Sequence, residues 1–99
     1  MEYATHNVIA SSMFGPNGQA ADDTYSDILM ASSGANDCTY NNIHGNVLNS
    51  SFINKCKYGI REDDASQDYN LVHGNIVQGA VTANISLQGA NSVSADNIV

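Results

Sequence analysis

The sequence predicts an all-β chain wound as a parallel β-helix, a solenoid of about four coils. Three observations carry that expectation. Nearly the same nine residues occur twice, as Tyr40-Asn41-Asn42-Ile43-His44-Gly45-Asn46-Val47-Leu48 and Tyr69-Asn70-Leu71-Val72-His73-Gly74-Asn75-Ile76-Val77, at an offset of 29. A second, isoleucine-centred segment lies between successive copies. Uncharged polar residues replace the usual Lys/Glu surface, since 13% of residues are charged while asparagine occurs 13 times, and no window carries an apolar stripe at the helical period.

The first strand type appears four times. Residues 7–14 align with 41–48 at an offset of 34, and residues 70–77 repeat 41–48 at an offset of 29. Residues 92–99 match 70–77 at an offset of 22, anchored on Asn97, Ile98 and Val99. The second strand type occupies 26–30, 58–62 and 84–87. In each, an isoleucine is followed two residues later by another candidate inward side chain. Polar turns follow at 32–37, 63–68 and 88–91; Gly tolerates positive φ there, and Asn and Asp bond back to their own backbone. A core of about 22 residues therefore recurs, lengthened by variable loops. The longest insertion surrounds Gly15-Pro16-Asn17-Gly18, with Asp22 and Asp23 following; the next covers 50–57.

Alternation assigns faces. The sets Asn7/Asn41/Asn70, Ile9/Ile43/Val72 and Phe14/Leu48/Val77/Val99 point inward. Ser12/Asn46/Asn75/Asn97 fall at a bend, where each amide meets the next one about 4.8 Å along the stack and forms an asparagine ladder. In the second strand type Ile28/Ile60/Ile85 point inward, with Met30/Glu62/Leu87 two residues on. Glu62 conflicts with that row. It either caps the strand end or is buried with a partner such as Arg61 or a backbone N–H. Two columns point outward: His44/His73 with Ala10 below them, and Met13/Val47/Ile76/Ile98. The second is uniformly apolar, which points to contact with another subunit or to a loop folded back over it.

Bulk properties narrow the partners. Ninety-nine residues allow one domain, spanning 1–99. The net charge of −7 argues against nucleic-acid and anionic-membrane partners, because phosphate binding needs clustered Lys and Arg. No run is long and apolar enough to span a bilayer, and the start lacks the basic-then-apolar order of a signal peptide. Cys38 and Cys56 sit outside any metal or CxxC pattern. They read as two buried free thiols, with a disulfide left open.

The phrase Asn-x-x-x-Gly-Asn-x-Val at 70–77, followed by Gly-Ala-Val-Thr-Ala-Asn-Ile-Ser-Leu-Gln-Gly-Ala-Asn at 79–91, resembles the right-handed parallel β-helix repeat of the broad pectate-lyase-like superfamily. The resemblance spans roughly residues 3 to 99. It implies a right-handed coil. That superfamily includes polysaccharide lyases, glycoside hydrolases, alginate epimerases, phage tailspikes and adhesins, so the fold does not select an activity.

Candidate chemistry sits at two places. His44 and His73, on adjacent coils, would lie about 5 Å apart; the pair would suit a metal or one imidazole a general base, and the plain reading is a surface ladder that merely stacks. Arg61, Glu62 and Asp63 offer a cation to neutralise a uronate carboxylate and a carboxylate to take its C5 proton. The Tyr58-Gly59 opening resembles the alginate-epimerase motif, but Arg61-Glu62-Asp63 replaces that motif's Asp-Pro-His. The plain reading there is a strand end with a local ion pair. The carboxylate groups Asp22-Asp23 with Asp27, and Glu62-Asp63-Asp64 with Asp68, carry ligands that suit Ca²⁺ but match no known loop, so no cofactor or metal site is expected. Tyr3, Tyr25, Tyr40, Tyr58 and Tyr69 would suit a sugar groove, with Tyr40 and Tyr69 placed to stack between coils.

The expectation is therefore a non-catalytic structural or interaction module, alone or as a piece of a larger carbohydrate-active or surface protein. Val99 ends the sequence inside a strand with no cap after it. Self-association is expected, either through Met13/Val47/Ile76/Ile98 or through the coil ends. The alternative is an acidic-polysaccharide lyase, epimerase or hydrolase using Arg61, Glu62, Asp63, His44 and His73, with a polysaccharide as partner.

Overall fold

Left-handed backbone sets the corners of this chain. His6, Tyr40 and Tyr69 have φ of 56°, 57° and 56°, and each is followed by an asparagine. A second set, Ser11, Gly45, Gly74 and Asp96, has φ of 53°, 64°, 62° and 53° and precedes Ser12, Asn46, Asn75 and Asn97. A residue in this region turns the chain sharply, which glycine does without steric cost and other residues do against it. Gly45 and Gly74 are thus matched to their corners; the two tyrosines are held there by what surrounds them.

The computed structural model describes residues 4–15, 25–32, 36–49 and 55–99. The expected insertion around Pro16, with Asp22 and Asp23, lies outside the described residues, as do Tyr3 and residues 50–54. Ten short strands are present, and no helix occurs among the described residues: β1 (Val8–Ala10), β2 (Met13–Phe14), β3 (Ser26–Met30), β4 (Asn42–His44), β5 (Val47–Asn49), β6 (Tyr58–Glu62), β7 (Leu71–His73), β8 (Ile76–Gln78), β9 (Ala83–Ser86) and β10 (Val93–Ala95).

The strands form three parallel sheets. Sheet 1 has the order β1-β4-β7-β10, sheet 2 the order β2-β5-β8, and sheet 3 the order β3-β6-β9. The chain visits sheets 1, 2 and 3 in turn and then repeats the circuit; Ile98 extends sheet 2 by bridging to Ile76. Every strand therefore pairs with strands one circuit away, and the repeat in the sequence is the repeat in space.

The register matches the expected columns. Ile9, Ile43, Val72 and Ser94 are successive partners in sheet 1. Phe14, Leu48 and Val77 are partners in sheet 2, and Ile28, Ile60 and Ile85 in sheet 3. Ile28, Met30, Cys38, Ile43, Leu48, Ile60, Val72 and Val77 form one buried cluster, with Ile9, Phe14, Ile85 and Leu87 packed against it less completely. The columns weaken in the first and last circuits, which have a neighbour on one side only: Asn7 and Val99, both expected inward, are exposed. Cys38 and Cys56 are buried free thiols.

One close approach departs from simple alternation. Gly59 and Ile60 are both buried, and a side chain at Gly59 would place its Cβ 2.3 Å from Val77 Cγ1 and 2.6 Å from the Asn84 carbonyl oxygen. Glycine there lets sheet 3 close onto sheet 2.

Candidate functional site

The polar interior is built from asparagines. At the second corner Asn46 Nδ2 donates to Asn75 Oδ1 (3.1 Å), and Asn75 Nδ2 donates to Asn97 Oδ1 (2.9 Å). The same acceptors also take backbone N–H bonds from Asn46 and Asn75, both 3.0 Å. This is the ladder that the repeat predicts. A second ladder runs along the first corner, where Asn7 Nδ2 donates to Asn41 Oδ1 (3.2 Å) and Asn41 Nδ2 to Asn70 Oδ1 (3.0 Å). The sequence marked those residues as inward only. Buried amides satisfied in this way hold the corners in register instead of costing free energy as orphans.

Glu62 ends the second ladder's neighbourhood in sheet 3. It is fully buried. Oε1 accepts from Asn70 Nδ2 (2.9 Å) and from Ser92 Oγ. Oε2 accepts from the backbone N–H groups of Gln88 (2.6 Å) and Gly89 (2.8 Å). Four donors thus compensate the buried carboxylate. The backbone N–H partner expected for it is present; Arg61 is not that partner. Arg61 instead lies with its Cζ 4.6 Å from the centre of the Tyr58 ring, on which Lys57 Nζ also sits at 5.9 Å, in cation–π geometry. Asp63 donates its backbone N–H to Met30 (3.0 Å), while its Oδ1 is buried without a hydrogen-bond partner.

His44 and His73 stand on sheet 1 as register partners, with ring centres 5.2 Å apart and planes 19° from parallel. Ala10 and Ala95 flank them in the same row. Rings stacked face to face aim their nitrogens side by side, not at one point. The two histidines belong to sheet 1 and Arg61, Glu62 and Asp63 to sheet 3 or the turn after it, so the five residues are split between two faces.

The acidic turn residues bind the turns of successive circuits to one another. Ser66 Oγ lies 2.7 Å from Asp37 Oδ1 and 2.5 Å from Asp64 Oδ1, and Ser32 Oγ bridges to Asp37 (3.1 Å) and Asp64 (3.3 Å). Buried Gln67 joins this network to the core, its Oε1 accepting from the Cys38 N–H at 2.6 Å. The Ser66 hydroxyl, followed by the Ser66 backbone N–H, holds the Asp64 carboxyl below its ordinary value. The Asn91 side chain does the same for Asp68, joined by the N–H groups of Tyr69 and Asn91. No group of three or more metal-ligating side chains occurs among the described residues.

The aromatic column is a stack and not a platform. His6, Tyr40 and Tyr69 lie ring on ring at 5.2 and 5.0 Å, with planes 13° and 9° apart. Each inner face is covered by its neighbour, so Tyr40 has no open face on which a sugar ring can lie.

The outer face of sheet 2 carries an apolar row. Met13, Val47, Ile76 and Ile98 are register partners in one row, and Met13, Ile76 and Ile98 are exposed. No family model, curated protein or solved structure matches this chain.

Proposed function

We propose that the chain is a right-handed parallel β-helix of about four coils, serving as a non-catalytic structural or interaction module that self-associates through Met13, Val47, Ile76 and Ile98. Such a module stands alone or within a larger carbohydrate-active or surface protein. The repeated visits to three parallel sheets in register support the solenoid. The carrying observation for its role is the sheet 2 row: four apolar side chains directly above one another, with Met13 85% exposed, on a protein of net charge −7. Exposed apolar area costs about 25 cal/mol per Å² relative to burial, so an aligned row of this kind favours a cover.

The alternative, cleavage or epimerisation of an acidic polysaccharide, draws less support. Glu62, the carboxylate beside Arg61, is sealed in the interior with all four donors in place, and neither histidine shares its face. A uronate polymer incubated with the protein is expected to give no unsaturated product absorbing in the ultraviolet; its appearance, and its loss in Arg61→Ala, would overturn the non-catalytic reading.

A second contact route rests on one observation. A cavity of about 460 Å³ lies beside β9 and β10, lined by Asn84, Ile85, Leu87, Ser92, Ser94 and Val99. End-to-end stacking would fill it. Sedimentation velocity separates the routes: Met13→Lys with Ile76→Lys gives monomers if the sheet 2 row is the contact and leaves the wild-type association intact if the ends are. A wild type that is monomeric at tens of micromolar would overturn self-association by either route.

A further inference from the structure

Two of the three cations in this chain lie against one aromatic ring and against no carboxylate. Arg61 Cζ sits over the Tyr58 ring at 4.6 Å and Lys57 Nζ at 5.9 Å, so both charges are tied to one spot on the outside of sheet 3. Neither makes a hydrogen bond or an ion pair among the described residues. Carboxylates are plentiful, ten against three cations. Those nearest in sequence or register are turned elsewhere. Glu62 is sealed inside by its four donors. Asp27, on neighbouring β3, accepts from the Cys56 thiol at 3.4 Å. Asp63 keeps Oδ1 buried with no hydrogen-bond partner, so Arg61 does not reach that oxygen either.

The positions around the pair are uncharged. Arg61 is flanked in register by Leu29 and Ser86, and Tyr58 by Ser26 and Ala83. Lys57 lies between Tyr25, whose carbonyl takes its N–H (2.6 Å), and Thr82, whose N–H bonds to its carbonyl (2.9 Å). Lys57, Tyr58 and Arg61 are all half-buried, which limits the sweep of the two long side chains.

Stacking decides what the guanidinium can still do. On an aromatic face it keeps its N–H donors in its own plane, where they meet two oxygens of one anion in parallel. An ammonium is a point charge with three donors of its own. A carboxylate has two oxygens and one charge, which a guanidinium satisfies alone. A phosphate group carries about −1.5 to −2 and three acceptor oxygens, and so matches a guanidinium and an ammonium together.

We infer that Arg61, Lys57 and the Tyr58 ring form an oxyanion site that takes a phosphate group, as the free ion or as a monoester. The site needs no contact between copies and goes beyond the structural role proposed above. The net charge of −7 opposes any anion at long range, so binding is in the millimolar range.

Arg61 is the only arginine in the chain, so its side-chain Nε–H gives a single NMR signal that needs no assignment. The wild type is titrated with inorganic phosphate, methyl phosphate, sulfate and acetate, with ionic strength held constant by sodium chloride. The expected result is a saturable shift with phosphate. Lys57→Gln is expected to weaken phosphate binding about fivefold or more and to leave acetate unchanged, while Lys55→Gln, which removes the same charge two residues away, matches the wild type. Phosphate loses its second charge below a pKa of about 6, so its binding should weaken at about pH 5 while that of sulfate does not. Tighter binding of methyl phosphate than of inorganic phosphate assigns the site to an ester; the reverse assigns it to the free ion. A phosphate shift that chloride reproduces at equal ionic strength overturns the site. Equal phosphate binding by Lys57→Gln and the wild type also overturns it, since Arg61 is then an ordinary surface cation. The wild-type titration needs no variant, so a folding defect cannot decide it, and a monomeric chain that binds phosphate would sink self-association while leaving this site intact.

Discussion

Glu62 occupies a column otherwise filled by methionine and leucine, and its four hydrogen bonds explain how a carboxylate is kept there. Asn70 opens the next circuit and Ser92 the one after it, with Gln88 and Gly89 in the turn after β9, so one side chain joins sheet 3 to two later circuits of the chain. Replacement by glutamine turns an NH₂ toward N–H donors that need an acceptor. We expect Glu62→Gln to cost about 2–4 kcal/mol in equilibrium denaturation, because bonds to charged groups are worth ~1.5–3 kcal/mol each and a buried donor left unmet carries its own penalty. The conflict at Glu62 was legible in the sequence; its partners were not, since three of them lie 26 to 30 residues away and become neighbours only through the stacking. Asp64 and Asp68 add a pH dependence. Both carboxyls sit below their ordinary values in the folded state, so their contribution is complete above the unfolded value of about 3.9 and is lost as pH falls through the folded values. The melting temperature of the wild type should therefore exceed that of Asp64→Asn at neutral pH, with the gap closing below about pH 4; a gap that is constant with pH would contradict the assignment.

At the scale of elements, the three-residue strands of the middle circuits, such as β4, β5 and β7, persist because each is paired on both sides and bounded by a locked corner. Asn46 shows the device. Its Oδ1 accepts from the Ser12 N–H (3.0 Å), and its Nδ2 reaches the Ile9 carbonyl (2.9 Å) as well as Asn75. Asn46→Ala strands these groups in a dry interior, and the expected loss is about 2–3 kcal/mol, measurable by urea unfolding. Gln78→Ala, at an exposed position in sheet 2, should be nearly neutral. The bend ladder and the inward columns were readable because both follow from repeat spacing and alternation. The corner at Tyr40 and Tyr69 was not: nothing in tyrosine signals left-handed backbone, and the stack from His6 through Tyr40 to Tyr69 exists only once the circuits are aligned. The outward apolar row at Val8, Leu71 and Val93 was hidden for a related reason, because Asn42 interrupts it in the clearest copy of the repeat.

For the whole molecule, charge and apolar surface are segregated. Among the described residues, Asp37, Asp64 and Asp68 lie in the turns between sheets 3 and 1, Lys57 and Arg61 lie against Tyr58, and the strands of sheets 1 and 2 contain no Asp, Glu, Lys or Arg. The sequence disclosed the apolar row of sheet 2 but not this segregation, which depends on which strands become neighbours. An apolar row on a molecule of net charge −7 also predicts the effect of salt: screening shortens the reach of repulsion between copies and should tighten their association. The most direct measurement is sedimentation equilibrium of the wild-type chain from 1 to 100 µM, a range of about two decades chosen around a micromolar dissociation constant. The account predicts a mass that rises with concentration from 10.5 kDa toward twice that value and reaches it sooner at higher salt. A mass fixed at 10.5 kDa throughout would contradict it.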